Sequence, residues 1–506
     1  MSTTLDPVLA LAPDAPAPDP LAQVGRTPWP PGFLWGAATS AGQIEGGAHA
    51  DGREDSIWDA FARVPGNVAG GDTPERGAEH LERMPDDVAL LGALGLTAYR
   101  FSVSWARVRP GDRYRNDAGL AFYDRLVDEL LARDVVPFLT LYHWDLPQAL
   151  EERGGWTVRD TAERFVRYVE DVHARLGDRV EHWTTFNEPF CSAFIGHASG
   201  EHAPGRQDPG AALAALHHQH LAHGLATRRL RELARPGVPL QVGISLNLTT
   251  AVPADPDDPV DVDAARRVDA LWNRAFLEPV LHGRYPADFL ADVAGLGLEE
   301  VVRPGDLETI AQPIDFLGVN HYHDDCVTGH PQSGPGGLRP TDKVTRSPFV
   351  GSEHVGSVTR DLPLTEMGWE VHPDGLRDLL VRLGREHPGL PLHVTENGAA
   401  YADVVTPDGC VHDAQRAAFV EAHVAAVAEA VELGADVRGF FAWSLLDNFE
   451  WAWGYAKRFG IVHVDHATQR RTVKDSGHRF AALVAAARHG DQPAPAGARA
   501  QPAPLP

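Results

Sequence analysis

The chain has 506 residues, 43% of them apolar and 23% charged, with a formal net charge of −25. That balance allows a large buried core and argues against a nucleic-acid surface, which needs clustered Lys and Arg. Lysine occurs only at Lys343, Lys457 and Lys474, and no stretch approaches the roughly 18 uninterrupted apolar residues of a membrane span. The cysteines Cys191, Cys326 and Cys410 are far apart and odd in number, which fits free thiols in a reducing, cytoplasmic compartment better than a disulfide scaffold.

Residues 1–31 are rich in Pro, Ala and Asp and have no basic segment ahead of an apolar one, so they predict a disordered arm rather than a secretory leader. Strand-like runs then alternate with segments of helical periodicity. The strand runs are Phe33 to Thr39, Ala98 to Trp105, Val135 to Trp144, Val180 to Glu188, Leu240 to Leu248, Asp315 to Tyr322, Leu390 to Glu396 and Val437 to Leu445. Helical stretches include Asp124 to Arg133, Val158 to Leu176, Gly210 to Leu233, Val262 to Leu277 and Ala414 to Leu433. Residues 488–506 return to Pro, Ala and Gly and predict a second disordered tail. Residues 32–487 therefore read as one α/β domain. Strict alternation implies a parallel sheet, and eight such units point to a closed (β/α)8 TIM barrel. An open doubly wound sheet competes, but no glycine-rich phosphate turn follows the first strand.

A barrel places its chemistry at the C-terminal ends of the strands. Gln43 falls just past the first predicted strand, and His143 and Trp144 end the third. Asn187 and Glu188 end the fourth, Asn320 and Tyr322 the sixth, Glu396 the seventh, and Trp443 lies in the eighth. Two carboxylates on one rim, Glu188 in Thr-Phe-Asn-Glu-Pro and Glu396 in Thr-Glu-Asn-Gly, suit glycoside hydrolysis. One acid protonates the departing oxygen while a second carboxylate meets the oxocarbenium-like carbon. A single strand-end glutamate is more often exposed or ion-paired, so the joint placement carries the reading.

The runs Phe33-Leu34-Trp35-Gly36-Ala37-Ala38-Thr39-Ser40, Tyr99-Arg100-Phe101-Ser102-Val103-Ser104-Trp105, Tyr142-His143-Trp144-Asp145-Leu146-Pro147 and Trp443-Ser444-Leu445-Leu446-Asp447-Asn448-Phe449-Glu450-Trp451 resemble glycoside hydrolase family 1 β-glucosidases, from about Phe33 to about Val484. The resemblance implies a barrel that hydrolyses small-molecule β-glycosides or cello-oligosaccharides with retention, without cofactor or metal. Matched position by position, Glu188 is the general acid/base and Glu396 the nucleophile, supported by Arg100, Asn320 and Tyr322. Gln43, His143, Trp144, Asn187, Tyr322, Trp443, Glu450, Trp451 and Phe459 match sugar-binding positions, and Trp369 matches a leaving-group platform. These roles require Glu188 to be protonated near neutral pH and Glu396 to be ionised, with carboxyls about 5 to 5.5 Å apart. Glu450 would face the 4- and 6-hydroxyls as a carboxylate.

Departures from the family pattern are Gly42 in place of an aromatic, His321 in place of Tyr, Glu79 to Pro85 without its usual aromatics, and the variable Trp453. A 6-phospho-β-glycosidase, hinted at by Lys457, and a non-catalytic carbohydrate-binding protein are the alternatives, and retention of both glutamates argues against the latter. His217, His218, His220 and His223 share one predicted helix. Lacking an HExxH pattern, they read as surface or satisfied histidines, not as a metal site. The acidic run Asp255 to Asp263 reads as a solvated turn. Aglycone preference is expected to depend on loops around Trp369, Ser333 to Gly337 and Trp453.

Overall fold

All eight strand runs form strands, and their hydrogen bonds close the sheet upon itself. In this computed structural model, which describes residues 19–331 and 338–490, the strands are β1 Leu34–Ala38, β2 Ala98–Ser102, β3 Val136–Tyr142, β4 His182–Asn187, β5 Gln241–Asn247, β6 Phe316–Asn320, β7 Leu392–Asn397 and β8 Val437–Trp443. Each pairs in parallel with the next, and β8 returns to β1 with Gly439 opposite Leu34 and Trp443 opposite Ala38.

The outer helices bury one stripe each. In Asp160–Leu176, Thr161, Phe165, Tyr168, Val169, Val172 and Leu176 are buried at helical spacing, with Asp160 and Glu163 in the first turn and Arg175 in the last, complementing the helix dipole. Inside the barrel, Phe138 packs against Phe316 (ring centroids 5.2 Å), Phe441 (5.1 Å), His182 (5.0 Å) and His393 (5.4 Å). This aromatic plug fills the lower barrel, where β4 and β6 begin at His182 and Phe316, and leaves the C-terminal rim for chemistry.

Several boundaries differ from expectation for local reasons. β2 stops at Ser102, and Trp105 instead begins a short helix, Trp105–Val108, with its ring stacked 5.2 Å from Tyr168. The helix expected from Asp124 starts at Asp117. Gly119 sits inside it because a Cβ there would lie 2.5 Å from the Arg107 carbonyl oxygen. The stretch Val262 to Leu277 is broken into Pro259–Val268, a wide π-type turn Asp269–Arg274, and Ala275–His282.

The arm expected over 1–31 is structured in its last part. Pro20–Val24 is a helix capped by the Asp19 carboxylate, Val24 and Trp29 are buried, and the Trp29 indole N–H donates to the Val24 carbonyl at 2.9 Å. The Trp29 ring meets Phe33 and Trp35 at 4.6 and 4.9 Å, so apolar burial near the barrel outweighs the Pro-rich composition. The last helix, Asp475–Gly490, runs past residue 487. Residues 1–18, 491–506 and the loop Ser333 to Gly337 lie outside the described residues. Among the described residues no helix is long and apolar enough to cross a membrane.

Candidate active site

β4 ends at Asn187, and Glu188 follows with φ of 45°, its backbone N–H donating to the Ser245 carbonyl of β5 at 2.9 Å. Trp144 and Trp451 also have positive φ, 73° and 48°. Such strain in non-glycine residues persists where surrounding structure over-determines it, and it clusters at functional sites. The glycine of Thr-Glu-Asn-Gly has a packing cause: a Cβ on Gly398 would lie 1.9 Å from the Trp443 carbonyl oxygen. Its absence lets the end of β7, which carries Glu396, close against β8.

The two glutamates are buried but held by different partners. Glu396 accepts from Arg100 Nη1 at 2.5 Å through Oε1 and from the Tyr322 hydroxyl at 2.7 Å through Oε2. Among the described residues Glu188 receives only neutral donors, Asn320 Nδ2 at 2.6 Å on Oε1 and the Cys191 thiol at 3.2 Å on Oε2. Burial, and then the Glu396 charge, push Glu188 up from 4.5 to about 8. Burial also pushes Glu396 up, but Arg100 and the Tyr322 hydroxyl pull it back. The first proton lost by the pair therefore leaves Glu396.

A hydrogen-bonded chain joins the two. Arg100 Nη2 donates to Asn187 Oδ1 at 2.7 Å, the same oxygen accepts from Asn320 Nδ2 at 2.9 Å, and Asn320 Oδ1 accepts from Thr395 Oγ1 at 2.6 Å. Asn187 Nδ2 lies 3.1 Å from His143 Nε2. With Nε2 accepting, the neutral ring carries its proton on Nδ1, which has no protein partner among the described residues. Burial first, then Arg100, hold His143 neutral. A free imidazole N–H and one free Asn187 amide hydrogen are thus available to sugar hydroxyls.

The remaining sequence-predicted residues line the same rim. Trp443 lies parallel to His143 (5.8 Å, 16°), and Trp451 packs on Trp144 (4.7 Å) and Trp58 (4.6 Å). The Trp144 indole N–H donates to the Asn187 carbonyl at 2.9 Å. Tyr322, Trp369 and Phe459 form an aromatic corner with centroids 5.4 to 6.0 Å apart, and Trp369 is partly exposed, as a platform at the mouth requires. Gln43 is fully buried, donating to Asn448 Oδ1 at 3.0 Å and the Phe449 carbonyl at 2.9 Å and accepting from Ser40 Oγ at 2.6 Å. One lone pair of its Oε1 remains for a ligand. Glu450 Oε2 is buried with no partner among the described residues. Burial, and then Glu396 and Glu188, push Glu450 up to about 8, so at neutral pH it is an acid rather than the expected carboxylate.

The profile of glycosyl hydrolase family 1 matches residues 26–489. The chain belongs to that family. It is similar to the thermostable β-glucosidase B of Thermobispora bispora, 48% identical over 455 residues that cover 89% of each chain. It is 43% identical to a bifunctional β-D-glucosidase/β-D-fucosidase of Bifidobacterium breve, over 90% of this chain and 98% of that one. Among solved structures, the psychrophilic β-glucosidase of Micrococcus antarcticus superposes with a TM-score of 0.89 at 62% identity, covering 92% of this chain and 99% of its own.

Within this family 1 barrel the departures have specific surroundings. A Cβ on Gly42 would make ordinary contact with the Trp451 ring (3.7 Å) and Asp145 (3.8 Å). His321 is buried with Asp324 Oδ1 3.7 Å from its Nε2. Glu79 pairs with Arg76 and Arg83 around the start of helix His80–Ala93. The clustered histidines are buried rather than on the surface. His217 meets Asp306 Oδ2 at 2.9 Å, His218 the Trp156 carbonyl at 2.9 Å, His220 the Tyr285 hydroxyl at 3.3 Å and His223 the Thr185 hydroxyl at 2.7 Å. Asp261, in the acidic turn, is likewise buried, accepting from Thr328 and from the Gly329 backbone. Cys191 and Cys326 are buried and Cys410 is exposed, all unbridged. Sequence reasoning did not single out Cys191 as a site residue. The signal available was its place three residues after Glu188, one helical turn on.

Proposed function

We infer that the protein is a retaining β-glucosidase in which Glu188 is the general acid/base and Glu396 the nucleophile. The observation that carries this is the asymmetry of donors: a cation and a phenol on Glu396, an amide and a thiol on a Glu188 pushed up to about 8. Glu396 attacks the anomeric carbon as the glycosidic bond breaks, and the departing oxygen takes the Glu188 proton. The glycosyl ester removes the Glu396 charge, so the Glu188 carboxylate is stabilised. It then takes a proton from water, whose oxygen attacks the anomeric carbon and releases Glu396 as carboxylate. Two inversions give net retention.

The β-glucosidase names of the relatives support glucosides as substrates, and the bifunctional relative supports β-fucosides and, through the same 4- and 6-positions, β-galactosides. Cello-oligosaccharides from cellulose breakdown are the natural class for a site whose mouth carries Trp369 as a platform. Three unbridged thiols support a cytoplasmic setting. Nothing favours the 6-phospho alternative. Lys457 is engaged by the Glu366 carbonyl and by the Trp453 ring, 4.7 Å away, and Arg100 is already committed to Glu396 and Asn187.

Proton NMR of p-nitrophenyl β-glucoside hydrolysis tests the assignment. β-Glucose appears first and the α-anomer grows in only by mutarotation; an α-anomer released first would mean inversion and contradict it.

A further inference from the structure

We propose that Cys191 is a positioning residue for the acid/base: its S–H donates to Glu188 Oε2 when Glu188 is ionised and yields when that oxygen carries the proton. The inference rests on the acid/base reading of Glu188. Asn320 has its Oδ1 fixed by the Thr395 hydroxyl at 2.6 Å, so its Nδ2 faces Glu188 and donates to Oε1 at 2.6 Å. An oxygen that accepts so short an N–H bond is the carbonyl or anionic one, which leaves Oε2 as the protonated oxygen and the one that delivers to the substrate.

Oε2 is the oxygen 3.2 Å from Cys191 Sγ. The thiol is placed by the backbone: the Cys191 N–H donates to the Glu188 carbonyl at 3.0 Å, and the wide helix Cys191–Ser199 follows. On its other side Sγ faces Asn247 Nδ2 at 3.8 Å, an N–H donor that occupies the sulfur lone pair and leaves the S–H for Glu188. Both side chains are buried. Burial, followed by the neighbouring Glu188, pushes the thiol well above its ordinary value, and the group stays an S–H donor.

The charged and titratable groups facing Glu188 are Glu396 from β7, Arg100 from β2, Tyr322 after β6 and Glu450 after β8. Arg100 hydrogen-bonds Glu396 and Asn187 and acts on Glu188 through its charge rather than by contact. When Glu188 loses its proton, Asn320 and the thiol are the donors in contact with its carboxyl among the described residues. Asn320 donates in both protonation states. The thiol bond to the carboxylate appears only after proton transfer, so it favours the product of acid catalysis over its ground state.

The test combines kinetics with infrared spectroscopy of the S–H stretch. In Cys191→Ala, loss of a donor to the charged form should raise the alkaline limb of kcat/KM by about half a pH unit and slow poor leaving groups more than p-nitrophenol. Cys191→Ser, which retains a donor, should return the limb toward wild type. In the wild-type protein, the S–H band that is missing from Cys191→Ala should move to lower frequency as pH rises through the Glu188 ionisation, and it should stay still in Glu188→Gln. A stationary wild-type band, or a folded Cys191→Ala with an unmoved limb, overturns the proposal. Should Cys191→Ala fail to fold, the band is assigned by Cys191→Ser and its pH response decides. A titrating band in an enzyme whose Glu188 variants slow all leaving groups equally would instead reject the acid role of Glu188 while leaving the thiol contact standing.

Discussion

Replacing Tyr322 by Phe removes one atom from the site, the hydroxyl that donates to Glu396 Oε2 at 2.7 Å. The ring keeps its packing on Trp369 and Phe459, 5.4 and 6.0 Å away, so the fold should be retained. A hydrogen bond to a charged group contributes about 1.5–3 kcal/mol, and at 1.36 kcal/mol per pKa unit this corresponds to roughly 1–2 units. The sign follows from the partner. The hydroxyl favours ionised Glu396 against the burial that pushes it up, so its loss raises the nucleophile further. Stopped assays with p-nitrophenyl β-glucoside across pH should show the acidic limb of kcat/KM moving up by about 1–2 units. The alkaline limb, which reports mainly Glu188, should move less. An acidic limb that stays at its wild-type position would refute the assignment of Tyr322 as support for a charged nucleophile.

Glu188→Ala should slow glycosides of poor leaving groups far more than activated aryl glycosides, and azide should yield a β-glycosyl azide; equal slowing of all substrates would contradict the acid role. Glu450→Gln should change the pH dependence of stability. The folded carboxyl, raised to about 8, holds its proton over a range in which the unfolded one has lost it, so wild-type stability falls as pH climbs from 4.5 toward 8. The melting-temperature difference between Glu450→Gln and wild type should therefore grow over that interval, and a constant difference would show that Glu450 is not buried as an acid. β-Glucoside 6-phosphates should be turned over about a hundredfold less efficiently than free glucosides, roughly 2.7 kcal/mol. Two negative charges would enter a buried site whose cation is already paired with Glu396 and Asn187, so their desolvation would go uncompensated. Comparable kcat/KM for the two would overturn that reading.

The barrel was legible because most strands are short runs rich in β-branched and aromatic residues, and the rim because strand ends carry Asn187, Glu188 and Glu396. Exact ends were not. Gly119 looks like a helix breaker yet serves the close approach of the Arg107 carbonyl, and Trp29 anchors a segment whose local composition is Pro-rich. The helix histidines were not legible as core, because their partners Tyr285, Asp306, Trp156 and Thr185 come from elsewhere in the chain. The upward shift of Glu450 was not legible for a similar reason: three carboxyls from β4, β7 and the segment after β8 come together at the rim, and sequence does not display that crowding. The chain Arg100–Asn187–Asn320 and the Cys191 contact likewise exist only once the closed barrel brings the ends of β2, β4 and β6 to one rim.

Retention requires Glu396 to form a covalent bond to the sugar. Glu396→Ala with p-nitrophenyl β-glucoside and azide tests it most directly, since a small anion can occupy the emptied place and attack from the nucleophile's side. The variant should lose hydrolysis without azide and form an α-glucosyl azide with it. Hydrolysis within tenfold of wild type, or a β-azide as the product, would contradict it.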